Sequence, residues 1–141
     1  PGETEADFQE LVQFVDSVRF DNVGVFVYSD EEGTFAQNLD FKVPRDLAVE
    51  RRDLLMEKQA GISRKELQKL TGRQLPVLLE GVSSESDLLL EGRMETQAPE
   101  IDGKILITDT VEDQPESGRV YLTEITDSME YDLLGRIIAT L

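Results

Sequence analysis

The chain has 141 residues, 39% of them hydrophobic and 31% charged, which is the balance of a globular protein with enough apolar side chains for a core. It contains no Cys and no His, so disulfides, zinc sites, thiol nucleophiles and imidazole catalysis within the chain are excluded. A net charge of −16 repels phosphate backbones and attracts basic partners. Without a membrane-length apolar run or a signal-peptide pattern, the expected location is the cytoplasm.

The first 43 residues are typical of one helix followed by one buried strand. Thr4 and Asp7 have the spacing of a capping box, and apolar residues recur at helical intervals from Phe8, which predicts a helix over about 5–19. The nearly continuous apolar run 23–28 then predicts a strand buried on both faces, as in a parallel sheet. Helix and strand together form one αβ step of a larger α/β domain.

A charge-rich segment follows and is predicted to be one long linking helix. Pro44 suits a first helical turn, and the segment has a thin leucine-rich stripe to about residue 70. Gly61 is a weak point within it, and Gly72 is a natural stop.

The last 70 residues predict a small β-barrel. Short alternating apolar segments separated by turn signals place strands near 74–80, 86–92, 104–108, 119–125 and 133–140. Five short strands in so small a domain favour closure, because closure removes the sheet's edges. The expected class is α+β, with boundaries at 1–43, 44–71 and 72–141.

Four blocks of the sequence occur in the order of one known family. Pro-Gly-Glu-Thr at 1–4, the run 25–29 with Glu-Glu-Gly-Thr at 31–34, Val-Leu-Leu-Glu-Gly at 77–81 and Glu-Tyr-Asp-Leu-Leu-Gly at 130–135 resemble the C-terminal part of radical-SAM methylthiotransferases. The last block is similar to the RimO branch. The resemblance implies that 1–43 is a C-terminal fragment of the radical-SAM barrel and that 72–141 is a small five-stranded antiparallel TRAM (OB-like) β-barrel.

The resemblance also implies cofactors for the full-length enzyme, namely S-adenosylmethionine and two 4Fe-4S iron–sulfur clusters. The cluster-binding cysteines of the family belong to earlier segments, so this fragment is expected to bind none of these cofactors and to be inactive alone. The strand at 23–29 is where the resemblance places contacts to the adenosyl group, which makes the candidate cofactor residues Val25, Phe26, Tyr28 and Ser29. No catalytic residue is expected within the chain.

The substrate implied by the RimO branch is an aspartate of a small-subunit ribosomal protein, methylthiolated at its β-carbon. The MiaB branch, which modifies an adenosine of transfer RNA, is the alternative, and a non-enzymatic acidic interaction module is a second. Residues 71–141 carry 15 acidic and five basic side chains, a net charge of −10, which favours a basic ribosomal protein over direct contact with nucleic acid. The candidate substrate-binding carboxylates are Glu91, Glu95, Glu100, Asp102, Asp127, Glu130 and Asp132.

Another interpretation of the acidic residues, a metal site, is weaker. Asp109, Glu112, Asp113 and Glu116 lack the alternating ligands and central Gly of a calcium loop, so no metal site is expected. The run 23–28, if it lacks neighbours of its own, leaves open self-association with another copy of the chain.

Overall fold

The structure, a computed structural model, describes residues 1–141 and divides into two compact units, 1–62 and 63–141. The boundary lies within the longer of its two α-helices, and a short 3-10 helix, Ala36–Asn38, belongs to the first unit. None of these helices combines the length and the apolar composition needed to cross a membrane. Each unit has its own hydrophobic core.

The first unit begins with helix α1, Glu5–Val18, whose start is fixed by the predicted capping box. The hydroxyl of Thr4 accepts from the main-chain N–H of Asp7 at 3.3 Å, and the carboxylate of Asp7 accepts from the N–H of Thr4 at 2.8 Å. These hydrogen bonds satisfy two main-chain donors that the first helical turn leaves without partners. The hydrogen bonds from Thr4 also hold the pKa of the Asp7 carboxyl below its usual value.

Helix α2 spans Arg45–Gln68 as a single helix that continues through Gly61, as the sequence predicts. Its first helical hydrogen bond runs from the N–H of Ala48 to the carbonyl of Pro44 at 2.9 Å. Within the first unit, Leu55 and Ile62 of α2 pack with Phe8 and Val15 of α1. This core of four buried side chains is small.

The predicted strand at 23–28 is wrong for this chain. The segment makes no main-chain hydrogen bond to any other part of the described structure, and it is not buried on both faces. Val23, Val25 and Val27 are half-buried, whereas Phe26 is 91% exposed. The segment therefore keeps the two-residue alternation of a strand but lacks the neighbouring strands that would complete its hydrogen bonds, because only helices surround it in its unit.

The second unit is a closed five-stranded barrel with the order β1-β2-β3-β5-β4, which confirms the predicted class. Its core consists of aliphatic side chains and Tyr121, with Leu67 near the end of α2 and Leu70 just after the helix packed against it. The strands are β1 Gln74–Ser83, β2 Ser86–Arg93, β3 Ile105–Thr110, β4 Val120–Ser128 and β5 Leu133–Thr140.

One strand pair departs from the purely antiparallel barrel that the sequence suggests. Four pairs are antiparallel, but β3 and β5 run parallel, with Ile105 opposite Leu133 and Leu106 opposite Leu134. The pair is parallel because β4, not a hairpin, connects these two neighbours. Parallel neighbours begin at the same end, so the loops that precede β3 and β5 lie side by side.

Candidate functional site

The first unit contains a groove of about 360 Å³ between α1, α2 and the extended segment after α1. Its apolar part is formed by side chains that include Phe8, Leu11 and Leu55. The volume lies in the range of small-molecule sites, and an apolar wall with a few polar groups is their usual character. Three of the four candidate cofactor residues line the groove, namely Val25, Phe26 and Tyr28.

Ser29, the fourth candidate, does not line the groove. Its hydroxyl donates to the carboxylate of Glu31 at 3.0 Å. Glu31 begins a turn at 31–34, in which the N–H of Thr34 donates to the carbonyl of Glu31. The side chain of Ser29 is therefore bound to this turn. The structure thus separates Ser29 from the other three.

A hydrogen-bonded chain of polar residues closes one side of the groove. The hydroxyl of Tyr28 donates to Asp30 at 3.0 Å, and the ammonium of Lys42 lies 2.6 Å from both oxygens of the same carboxylate. The hydrogen bond from Lys42 lowers the pKa of Asp30, and burial with the bond to Asp30 raises the pKa of Tyr28. Tyr28 is therefore a neutral hydroxyl at pH 7 whose orientation is fixed by an ionised carboxylate.

Arg51 ties the Pro-Gly-Glu-Thr segment to α2. Its side chain is 7% exposed and donates to Glu3 at 2.6 Å and to Glu5 at 3.0 Å, while its guanidinium carbon lies 5.1 Å from the centre of the Phe8 ring. Burial acts to lower the pKa of Arg51, but the hydrogen bonds to Glu5 and Glu3 outweigh it and the pKa is raised. The residue is a permanent cation that orients Glu3 at the groove.

The groove holds more positive than negative charge despite the acidity of the chain. Lys42, Arg45, Arg51 and Arg52 line it, against Glu3 and Asp30. Three of these cations are paired with carboxylates, whereas no ion pair involves Arg45 at the start of α2. The groove therefore suits a ligand with an apolar body and an anionic end. Sequence analysis missed these cations because single Arg and Lys residues in a charged helix have no distinguishing pattern.

In the second unit, five of the seven candidate carboxylates lie in two adjacent loops, which we call the acidic end of the barrel. The loops are residues 94–104 before β3 and 129–132 before β5, and the parallel pairing of these strands brings the loops together. The five are Glu95, Glu100, Asp102, Glu130 and Asp132. Glu91 and Asp127 lie on the neighbouring strands β2 and β4.

Five of the seven carboxylates bind groups of the chain itself, among them Asp127, which accepts from the N–H of Ser128 at 2.8 Å. Glu91 accepts from the ammonium of Lys104 at 2.8 Å, and Glu130 pairs with Arg64 at 2.9 Å. Asp132 accepts from the N–H of Lys104, and Asp102 accepts from the N–H of Ala98 at 2.7 Å. Glu95, Glu100 and Asp127 are exposed, so they are the members best placed to meet a partner.

The acidic end also contains exposed apolar residues that sequence analysis did not single out. Ile101, Met129 and Tyr131 lie in the same two loops and are exposed. Single apolar residues in loops have no periodic signal, so only the proximity of the two loops identifies them as a group. The described residues hold no group of three or more acidic side chains arranged to bind a metal ion.

Residues 71–138 match the family model of the TRAM domain, so the barrel of the second unit is a TRAM domain. The chain is 48% identical to the ribosomal protein uS12 methylthiotransferase RimO of Syntrophobacter fumaroxidans, over 99% of the chain and 31% of the relative. The RimO proteins of Solibacter usitatus and Koribacter versatilis are 47% and 50% identical and are covered to 30% and 28% of their lengths. The chain is similar to the RimO methylthiotransferases over nearly its whole length, as its motifs indicate, and spans less than a third of these curated relatives.

Proposed function

We propose that the chain is the substrate-holding part of an enzyme that methylthiolates the β-carbon of an aspartate in ribosomal protein uS12. S-adenosylmethionine and two 4Fe-4S clusters supply the radical, sulfur and methyl chemistry in such an enzyme. This chain has no Cys and so cannot ligate a cluster. The proposal therefore gives the chain two tasks, which are to bound the cofactor groove and to receive the substrate protein.

The first task falls to the groove of the first unit. Its apolar residues, with Val25 and Phe26 among them, fit the flat adenosyl group, and the cationic side with Arg45 fits the carboxylate of the same molecule. Tyr28 presents a hydroxyl whose direction is fixed by Asp30. Arg51 holds Glu3 in place at the groove, so it acts as a positioning residue.

The second task falls to the acidic end, and the observation that carries the proposal is the gathering of five acidic side chains in two adjacent loops. Ribosomal proteins are basic because they bind ribosomal RNA. Complementary charge steers such a partner to the barrel and orients it during encounter. The exposed carboxylates Glu95, Glu100 and Asp127 are the proposed contacts, with the other four shaping the surface around them.

Transfer RNA is the alternative substrate, and the barrel's cations argue against it. Of the five basic residues in 71–141, four are paired with carboxylates of the barrel, which leaves only Arg73 outside the barrel's ion pairs. RNA binding depends on a run of available cations that displace counterions from phosphates. A non-enzymatic acidic module, the other alternative, would give no reason for the groove in the first unit.

Binding of the 141-residue chain to uS12 and to transfer RNA across a salt series tests the proposal. We expect uS12 to bind with an affinity that falls as salt rises, and transfer RNA to bind barely at all. Micromolar binding of transfer RNA at physiological salt, with no binding of uS12, would assign the chain to the RNA-modifying branch. The groove is tested separately by titrating the chain with S-adenosylmethionine and with methylthioadenosine, which lacks the carboxylate and should bind more weakly.

A further inference from the structure

We propose that the acidic end contains an apolar contact site for an apolar side chain within the basic segment of uS12 that the carboxylates attract. The site consists of Ile101, Met129 and Tyr131. This inference rests on the proposed function and adds a contact that charge alone does not supply.

The three side chains are exposed to solvent although each has a large apolar part. Ile101 is 84% exposed, Met129 42% and Tyr131 40%, and none of them contributes to the barrel core. Ile101 follows Glu100, whose main chain is in the left-handed conformation with φ of 64°. This conformation is rare for a non-glycine residue. Here it immediately precedes an isoleucine whose side chain is exposed to solvent.

The loops that present these residues are held in place by hydrogen bonds. In the first loop, the N–H of Asp102 donates to the carbonyl of Ala98 at 3.1 Å. In the second, the N–H of Met129 donates to the carbonyl of Asp132 at 2.8 Å. The N–H of Lys104 bonds to Asp132 and joins the two loops. Because the loops are already ordered, binding costs little conformational entropy there. An apolar contact at these residues therefore contributes most of its free energy to affinity.

A basic protein segment is the occupant that fits this surface. Glu95 and Glu100 are exposed in the loop that contains Ile101, and they attract lysine or arginine side chains on either side of an apolar residue. The same carboxylates repel nucleic acid phosphates, although a base can stack on Tyr131. They also repel a second copy of this chain, whose own acidic end has the same sign of charge.

The test is a binding experiment with uS12 and three variants of the 141-residue chain. Ile101→Ser removes the most exposed apolar side chain, and Ile101→Val keeps most of it. Leu88→Ser is the matched control, because Leu88 is 94% exposed but lies on β2 before the residues that pair with β3, which end at Gly92 opposite Ile105 beside the first loop. We expect Ile101→Ser to weaken binding about tenfold through faster dissociation, with Ile101→Val and Leu88→Ser close to the unmodified chain.

The salt dependence separates this contact from the charges. Ile101→Ser should leave the slope of log affinity against log salt unchanged, because no charge is removed. Binding of uS12 by the unmodified chain, with no loss in Ile101→Ser or an equal loss in Leu88→Ser, overturns the apolar site and leaves the proposed function standing. Failure of the unmodified chain to bind uS12 overturns both. Tighter binding of transfer RNA than uS12, weakened by Ile101→Ser, assigns the surface to RNA.

Discussion

The main-chain N–H of Lys104 donates to Oδ1 of Asp132 at 2.8 Å and so fastens the loop before β3 to the loop before β5. The side chain of the same Lys104 reaches Glu91 at 2.8 Å and Glu85 at 3.1 Å. Lys104 is therefore the residue through which the two loops and the β1–β2 hairpin are connected. The acidic end depends on this connection for its shape.

Asp132→Ala should destabilise the barrel by about 1–3 kcal/mol, because the N–H of Lys104 loses a charged acceptor in a part-buried position. The unfolding free energy from urea denaturation measures the effect. Asp87→Ala is the control, since Asp87 is exposed on β2 and makes no hydrogen bond through its side chain. Equal stability of the two variants would show that the hydrogen bond contributes nothing.

Gly103→Ala should lower the stability of the barrel more than Asp132→Ala does, because a Cβ at Gly103 would lie 1.8 Å from the carbonyl oxygen of Tyr131. Main-chain atoms must separate to relieve such a contact, which costs about 2 kcal/mol or more. At Gly61 in α2 a Cβ meets nothing within 4 Å, so Gly61→Ala should instead stabilise the helix by about 0.5–1 kcal/mol. Denaturation should show a lower unfolding free energy for Gly103→Ala and a higher one for Gly61→Ala than for the unmodified chain.

The sequence predicts the helices and the barrel well because their signals are local. The Thr4–Asp7 capping box, the start of α2 after Pro44 and the alternation within each barrel strand depend on neighbouring residues. The parallel pairing of β3 with β5 is not local, since it depends on which strands meet when the barrel closes. The strand predicted at 23–28 fails for a related reason: the pattern is present, but its hydrogen-bonding neighbours are not part of this unit.

Prediction of the candidate sites divides in the same way. The sequence identifies carboxylates as a class from net charge, but it cannot distinguish Glu91, which pairs with Lys104, from Glu95, which is exposed. Arg45 and Ile101 have no sequence signal at all. Their proposed roles follow from a groove and from two adjacent loops that exist only in the folded chain.

The stability of the barrel should depend on the charge of Glu91. The hydrogen bond from Lys104 lowers the pKa of Glu91, and the bond to Glu91 raises the pKa of Lys104. A lowered carboxyl pKa gives stability that is present above the unfolded value of 4.5 and is lost as pH falls through the lower folded value. Glu91→Gln should therefore reduce stability at pH 7 and flatten its decline below pH 4.5. A decline as steep as that of the unmodified chain would mean that Glu91 is not responsible.

Residues 63–141 should fold without the first unit, and residues 71–141 should fold less stably. The shorter piece lacks Leu67 and Leu70, which pack against the barrel core, and their partial burial is worth about 1–3 kcal/mol together. Thermal unfolding of the two pieces measures the difference. Residues 1–62 alone should melt with little cooperativity, since their core has four buried side chains and the segment 23–28 lacks strand partners. A sharp transition for 1–62 and none for 63–141 would reverse this expectation.

Reversing the exposed charges of the acidic end should slow the association of uS12 without affecting the fold. Glu95→Lys with Glu100→Lys removes two carboxylates that make no ion pair in the chain, so the unfolding free energy should change by less than about 0.5 kcal/mol. Association should slow and its salt dependence should weaken, because exposed charges act over a Debye length of about 8 Å at physiological ionic strength. Asp87→Lys with Asp113→Lys makes the same change in net charge away from the two loops and serves as the control. If both pairs slow association equally, uS12 senses the net charge of the chain, and the gathering of carboxylates at one end of the barrel has no part in receiving it.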